Sequence, residues 1–122
     1  MHLGELPSNA ARRFGPREAL VFGEDRWTFA EFNANVERVA RALIATDIRR
    51  GDRVAVWMVN RPEWLFTMFA LARVGAVIVP LNTRYRADDL HYTLAQSRSK
   101  LLLTHVTSGP VEFLSLLCAS AP

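Results

Sequence analysis

A chain of 122 residues, half of them hydrophobic and 22% charged, has room for one packed core and excludes a disordered, collagen-like or disulfide-scaffold protein. The formal charge of +3 and the pI near 9.7 favour phosphate or anionic-surface contacts. The basic residues are nevertheless scattered as Arg12/Arg13, Arg49/Arg50, Arg84/Arg86 and Arg98/Lys100, and no nucleic-acid-binding signature accompanies them, so no nucleic-acid partner is expected. A lone Cys118 excludes an intrachain disulfide and suits a reducing compartment, so a cytoplasmic location is expected. The start, with Glu5, Arg12 and Arg13, reads as neither a secretory signal nor a span of about 20 apolar residues. No transmembrane segment is expected, and peripheral membrane contact stays open.

In chain order, Ser8 to Phe14 reads as a short helix behind Pro7, and Ala19 to Phe22 with Arg26-Trp27 reads as a hairpin around Gly23-Glu24-Asp25. Thr28-Phe29-Ala30-Glu31 has the form of a capping box, in which the Thr28 hydroxyl and the Glu31 carboxylate each satisfy a free backbone N–H. Trp27 before the cap is placed to pack on Phe32. Phe32, Val36, Val39, Ala40 and Leu43 recur at helical spacing, so an amphipathic helix is expected to end near Ala45.

Ile48 to Asp52 reads as a turn, and Arg53 to Val59 is too continuously apolar for a half-exposed strand, which points to a buried, parallel one. A second helix starts at Asn60 or Arg61, with Pro62 in its first turn and a body from Trp64 to Val74 that is apolar nearly all round. Such a helix needs cover on more than one side. Gly75 closes it, Ala76 to Pro80 forms another buried strand, and Leu81 to Tyr85 is a polar loop. Asp88/Asp89 open a third long helix, Lys100 to Thr104 is a third strand, and Pro110 to Ala119 reads as a last helix. Strand, helix, strand, helix, strand implies right-handed βαβ crossovers and a partial, mostly parallel sheet of the α/β class. No internal repeat or low-complexity linker interrupts it.

Five stretches in this order carry a resemblance: Arg26 to Phe32, Gly51 to Val56, Asn60 to Trp64, Gly75 to Asn82, and Arg84-Tyr85. Together they resemble the opening of the adenylate-forming, AMP-binding superfamily, which comprises the acyl-CoA synthetases and their luciferase and peptide-synthetase relatives. The version Leu81-Asn82-Thr83-Arg84-Tyr85 is most similar to that of bacterial fatty-acyl–CoA ligases. The likeness covers about Ala19 to Thr104, leaving residues 105–122 as an unmatched tail, and implies that residues 1–122 are a single truncated amino-terminal subdomain. The sequence departs from the usual pattern at Asp47, where Gly is common, at Arg50, where Pro is common, and at Val59, where Pro often precedes the Asn.

The resemblance implies a parental enzyme that activates a carboxylic acid with ATP and magnesium and passes the acyl group to coenzyme A. The family's phosphate loop ends in Pro-Lys-Gly; Thr107-Ser108-Gly109-Pro110 echoes it without the lysine and reads as a turn. The adenine-binding aromatic segment, the magnesium-contacting Glu, the ribose-binding Asp and the carboxy-terminal lysine are not in this sequence. The resemblance therefore implies no catalytic or metal-binding residue, no cofactor for this chain alone, and a polypeptide that is inactive by itself. Arg84 is the candidate cofactor-binding residue, since the matching Arg in some relatives approaches the 3′-phosphate of coenzyme A.

Against that role stands a solvated loop arginine, or one paired with Asp88. Asn82 reads as a turn-stabilising side chain and Tyr85 as a packing residue. Trp57, Trp64, Phe66, Met68 and Phe69 read as core rather than as an acyl pocket. His91 and His105 are too isolated for a metal site, Asp88/Asp89 suit a helix start, and Cys118 has no activating neighbour. Two other functions remain open: a non-catalytic docking module that uses the apolar helix, and one half of a split synthetase. Expected partners are thus the remainder of the synthetase or a second copy. A dinucleotide-binding oxidoreductase is disfavoured, because no Gly-x-Gly-x-x-Gly follows a strand.

Overall fold

The computed structural model describes residues 3–58, 61–104, 107–108 and 111–112. A single 3-10 turn over Leu3–Glu5 leads into helix α1 (Leu6–Phe14), with Pro7 in its first turn. Strands β1 (Glu18–Phe22) and β2 (Asp25–Thr28) pair antiparallel, as expected for the hairpin. Helix α2 (Phe29–Ala45) begins at the expected capping box, with the Thr28 hydroxyl accepting from the Glu31 N–H at 3.1 Å and a Glu31 carboxylate oxygen accepting from the Thr28 N–H at 2.9 Å. Two of its first-turn donors are thereby satisfied. Trp27, expected on Phe32, meets Phe66 edge-on at 5.8 Å, and Phe66 in turn meets Phe32 at 5.1 Å. The hairpin is thus stapled to its neighbouring helix through a three-ring chain.

Strand β3 (Arg53–Trp57) lies between β4 (Val77–Pro80) and β5 (Leu101–Thr104), parallel to both, in the order β4-β3-β5. The strand is shorter than the apolar run from Arg53 to Val59: its last pairs are Val56 with Pro80 and Trp57 with Thr104, and the ladder closes with the Leu81 N–H on the Val56 carbonyl. Val59 and Asn60 lie outside the described residues. Side chains alternate across β3. Val54 and Val56 face a core built with α2 and helix α3 (Pro62–Val74), whereas Ala55 and Trp57 face a second core with Leu81 and Leu90 of helix α4 (Ala87–Ser97). One sheet is therefore covered by α2 and α3 on one face and by α4 on the other.

Helix α3 receives the cover its composition demands. Phe66, Ala70 and Leu71 are buried, and α2, the Leu3–Glu5 turn and the sheet all pack on it. Full burial of a side chain like Leu71 is worth about 1.5–3 kcal/mol. The turn comes so close that a Cβ on Gly4 would sit 2.6 Å from the Arg73 Cα. Gly75 ends α3 with φ +79, a left-handed value that glycine takes without strain.

The α2–β3 connection explains how the sequence tolerates its departures from the family pattern. Asp47, where Gly is common, adopts φ 65, a region that Asp enters more readily than most residues. Its carboxylate accepts from Arg49 Nε at 3.1 Å, and its carbonyl accepts from Lys100 Nζ at 2.6 Å. Beyond β5, Thr107–Ser108 (β6) and Val111–Glu112 (β7) pair antiparallel. This corrects the helix expected from Pro110 to Ala119 at its first residues: β-branched Val111 sits just after the Gly109-Pro110 turn signal and extends instead of coiling. Residues 113–119 lie outside the described residues.

Candidate functional site at the carboxyl ends of the strands

In an open parallel sheet the loops that leave the carboxyl ends of the strands are where ligands gather. Here that edge holds the loop from Leu81 to Arg86, and four bonds shape it. The Leu81 N–H donates to the Val56 carbonyl at 2.9 Å, carrying the ladder one step past β4. The Trp57 indole Nε1–H donates to the Asn82 carbonyl at 3.0 Å, which ties the loop to the fully buried core of β3. That carbonyl also accepts from the Tyr85 N–H at 3.1 Å. The Asn82 side-chain oxygen accepts from the Arg84 N–H at 2.9 Å, the local turn expected of it.

The consequence is a backbone tied to the core beneath two exposed cations, Arg84 and Arg86. Arg84 points from this loop with its side chain in solvent, and among the described residues it forms no ion pair, so the pairing with Asp88 is absent. Tyr85 packs half-buried on the Trp57, Leu81 and Leu90 core. Asp89 accepts from the Arg86 N–H at 3.1 Å, so the acidic pair serves the start of α4. An arginine cannot accept in return, and only one half of a capping box forms there.

Of the aromatic and methionine side chains of α3 expected in the core, one is fully so and the others only in part. Phe66 is buried, while Trp64, Met68 and Phe69 are half-buried, with Trp64 and Phe69 against the α2–α3 core. No cluster of three or more His, Cys, Asp or Glu is placed to hold a metal among the described residues. His91 lies exposed on α4, and His105 and Cys118 lie outside the described residues. No described helix is long and apolar enough to cross a membrane.

Sequence reasoning missed the linkage at the opposite edge. Asp52 accepts from the Arg49 N–H at 2.7 Å and from Lys100 Nζ at 3.2 Å on the same oxygen. The Arg49 bond first and Lys100 second hold its carboxyl below the usual carboxylate range, against a smaller opposing effect of desolvation. Nothing local in the sequence marks a pair 48 residues apart. The Trp57 to Asn82 bond, over 25 residues, was equally invisible.

The chain matches the AMP-binding enzyme family model over residues 8–120. It is 38% identical over 103 residues to a putative acyl-CoA synthetase, YngI, of Bacillus subtilis, covering 83% of this chain and 19% of that protein. It is 38% identical over 102 residues to the acyl-CoA ligase sidI of Aspergillus fumigatus, covering 82% of this chain and 17% of that protein. Among solved structures it is similar to a Mycobacterium tuberculosis fatty acyl-CoA synthetase, at 34% identity and a TM-score of 0.82 over 84% of this chain and 21% of that one. The isolated N-terminal domain of FACL13 from the same organism matches with a TM-score of 0.81, also at 34% identity, over 84% of this chain and 26% of that one. The chain thus spans about a fifth of the length of the curated relatives it matches. With the family model running through both sheet faces and the loop that carries Arg84, this chain belongs to the AMP-binding enzyme family.

Proposed function

We propose that this chain forms the amino-terminal part of an ATP-dependent acyl-CoA ligase, and that Arg84 is its contact with the 3′-phosphate of coenzyme A. The parental reaction joins a carboxylate oxygen to the α-phosphorus of ATP with loss of pyrophosphate. The coenzyme A thiol then takes the acyl group, and AMP leaves. The observation that carries this reading is an unpaired guanidinium, held on a backbone fixed by Trp57 and Asn82, at the ligand-bearing edge of a sheet belonging to this family. An exposed arginine of that kind offers a charge-assisted, two-pronged partner to a phosphate. ATP and magnesium would act on residues other than those described, since neither a phosphate loop nor a carboxylate cluster lies among them. The chain alone is accordingly assigned no adenylation activity. The lone Cys118 supports a cytoplasmic setting.

The partner in this reading is the remainder of the synthetase. Among the described residues the outer edges of β4 and β5 pair with no further strand, and open edges invite strand addition. Two measurements test the proposal. The purified chain with ATP, magnesium, fatty acids and coenzyme A should release pyrophosphate only at background, and release above background would refute the inactivity. Coenzyme A should bind the chain about tenfold tighter than its 3′-dephospho form, a difference that Arg84→Gln abolishes. Equal affinity of the unaltered chain for both forms removes Arg84 from the site.

A further inference from the structure

The net charge of this molecule is not spread over it. At the amino ends of the strands, three chain junctions converge: the Gly51 N–H donates to the Gly75 carbonyl, the Val77 N–H to the Asp52 carbonyl and the Lys100 N–H to the Arg53 carbonyl. Arg41, Arg49, Arg50 and Arg73 line one open depression there, with Glu37 the one acidic residue of its lining. Arg53, Arg98 and Lys100 stand on the adjoining junctions, with Asp47 and Asp52 beside them. Seven basic residues thus face three acidic ones, while the other eight basic residues of the chain are outweighed by nine acidic ones. This end is more positive than the whole protein, and everything else is slightly negative.

The side chain in that depression that stands out is apolar. Ile44 is 61% exposed, the highest value among the large aliphatic side chains of the described residues, and its neighbours Ile48 and Val74 line the same hollow. Arg41 and Arg49 are each more than three-quarters exposed, and their pairs with Glu37 and Asp47 are surface pairs of the kind worth little. Arg73 is turned to the Gly4 carbonyl and Asn33, Arg53 to the Ser97 carbonyl, and Lys100 to Asp47 and Asp52, so these cations are engaged within the chain rather than gathered around one small soluble anion. A broad anionic surface with an apolar layer beneath its headgroups meets both features at once.

We propose that this end of the molecule docks on an anionic membrane surface, with Ile44 reaching below the headgroups and Arg41, Arg49 and Arg50 at their level. The carboxyl edge with Arg84 then faces away from the lipid. The inference rests on charge placement and exposure alone and stands whether or not the ligase reading does.

Sedimentation of the purified chain with phosphatidylcholine vesicles, with and without phosphatidylglycerol, tests it. Binding should require phosphatidylglycerol and fall steeply between low and high salt. Arg41→Glu/Arg49→Glu should weaken it by about 20-fold or more, and Ile44→Ser by about fivefold. Arg12→Glu/Arg13→Glu, which makes the same charge change on α1, should weaken it far less. Far-UV circular dichroism checks that each variant is folded; should the double reversal lose helicity, Arg49→Gln replaces it, with a loss of about fivefold expected. Equal binding to both vesicles, binding to neither, or an equal loss with the α1 pair overturns the proposal. So does release from the vesicles by millimolar inorganic phosphate at matched ionic strength, which would indicate a soluble-anion site instead.

Discussion

Replacing Trp57 with Phe isolates the tie between the core and the loop that carries Arg84. The indole is fully buried and its Nε1–H donates to the Asn82 carbonyl at 3.0 Å. Phe keeps an aromatic ring on Cβ but loses the N–H and the outer part of the indole, so the loss separates into two parts. The bond itself contributes about 0.5–1.5 kcal/mol net. Removing about 40 Å3 of side chain from a packed site costs about 1 kcal/mol at about 24 cal/mol per Å3 of residual cavity. The Asn82 carbonyl still accepts from the Tyr85 N–H, so no orphaned acceptor adds to the penalty. The expected destabilisation is about 2 kcal/mol, read as a fall of about 1 M in the urea midpoint with an unchanged slope. Amide exchange supplies the second readout. The Arg84 N–H, bonded to the Asn82 side chain, should lose protection more than amides in the middle of α2, because the loop is released before the core opens. A loss under about 0.5 kcal/mol, or uniform loss of protection along the chain, would refute the claim that Trp57 holds this loop.

Two further perturbations probe the scaffold. Gly4→Ala places a Cβ against the α3 backbone rather than a flexible side chain, so the Leu3–Glu5 turn must move; we expect about 1–3 kcal/mol lost and faster proteolysis within α1, with an unchanged melting temperature counting against the packing described. Asp52 contributes to acid behaviour. Its folded pKa is depressed by the Arg49 N–H and Lys100, so its contribution is complete above the ordinary carboxylate range and is lost as pH falls through the folded value. Stability should therefore decline on acidification below about pH 4, and Asp52→Asn should flatten that decline relative to the unaltered chain. Parallel pH profiles of the two proteins would sink the assignment.

Much of the candidate site is legible in the amino-acid sequence. The turn at Asn82 and the acidic start of α4 follow from short-range chemistry, since a side-chain amide or carboxylate reaches a backbone N–H two or three residues away. The exposed placement of Arg84 follows from a polar loop behind β4, although β4 itself, expected to be buried, is a half-exposed edge strand because it pairs only with β3 among the described residues. What supports that loop from below did not show, because the Trp57 indole could as well have packed without a bond. Likewise Trp27 suited a local staple on Phe32, yet its ring found Phe66 on α3.

Local signals therefore decided the elements of this protein: the capping box at Thr28, the Pro62 start and Gly75 stop of α3, and the apolar runs of β3, β4 and β5. Their energies depend on neighbours a few residues apart, and sequence displays those neighbours directly. Tertiary structure alone decided where β3 ends, which ring stacks on which, and that Lys100 closes on Asp47 and Asp52. It also decided that the positive charge gathers at one end of the sheet. Each of these depends on distances between residues far apart in sequence, and only the paired register of the parallel strands brings them together.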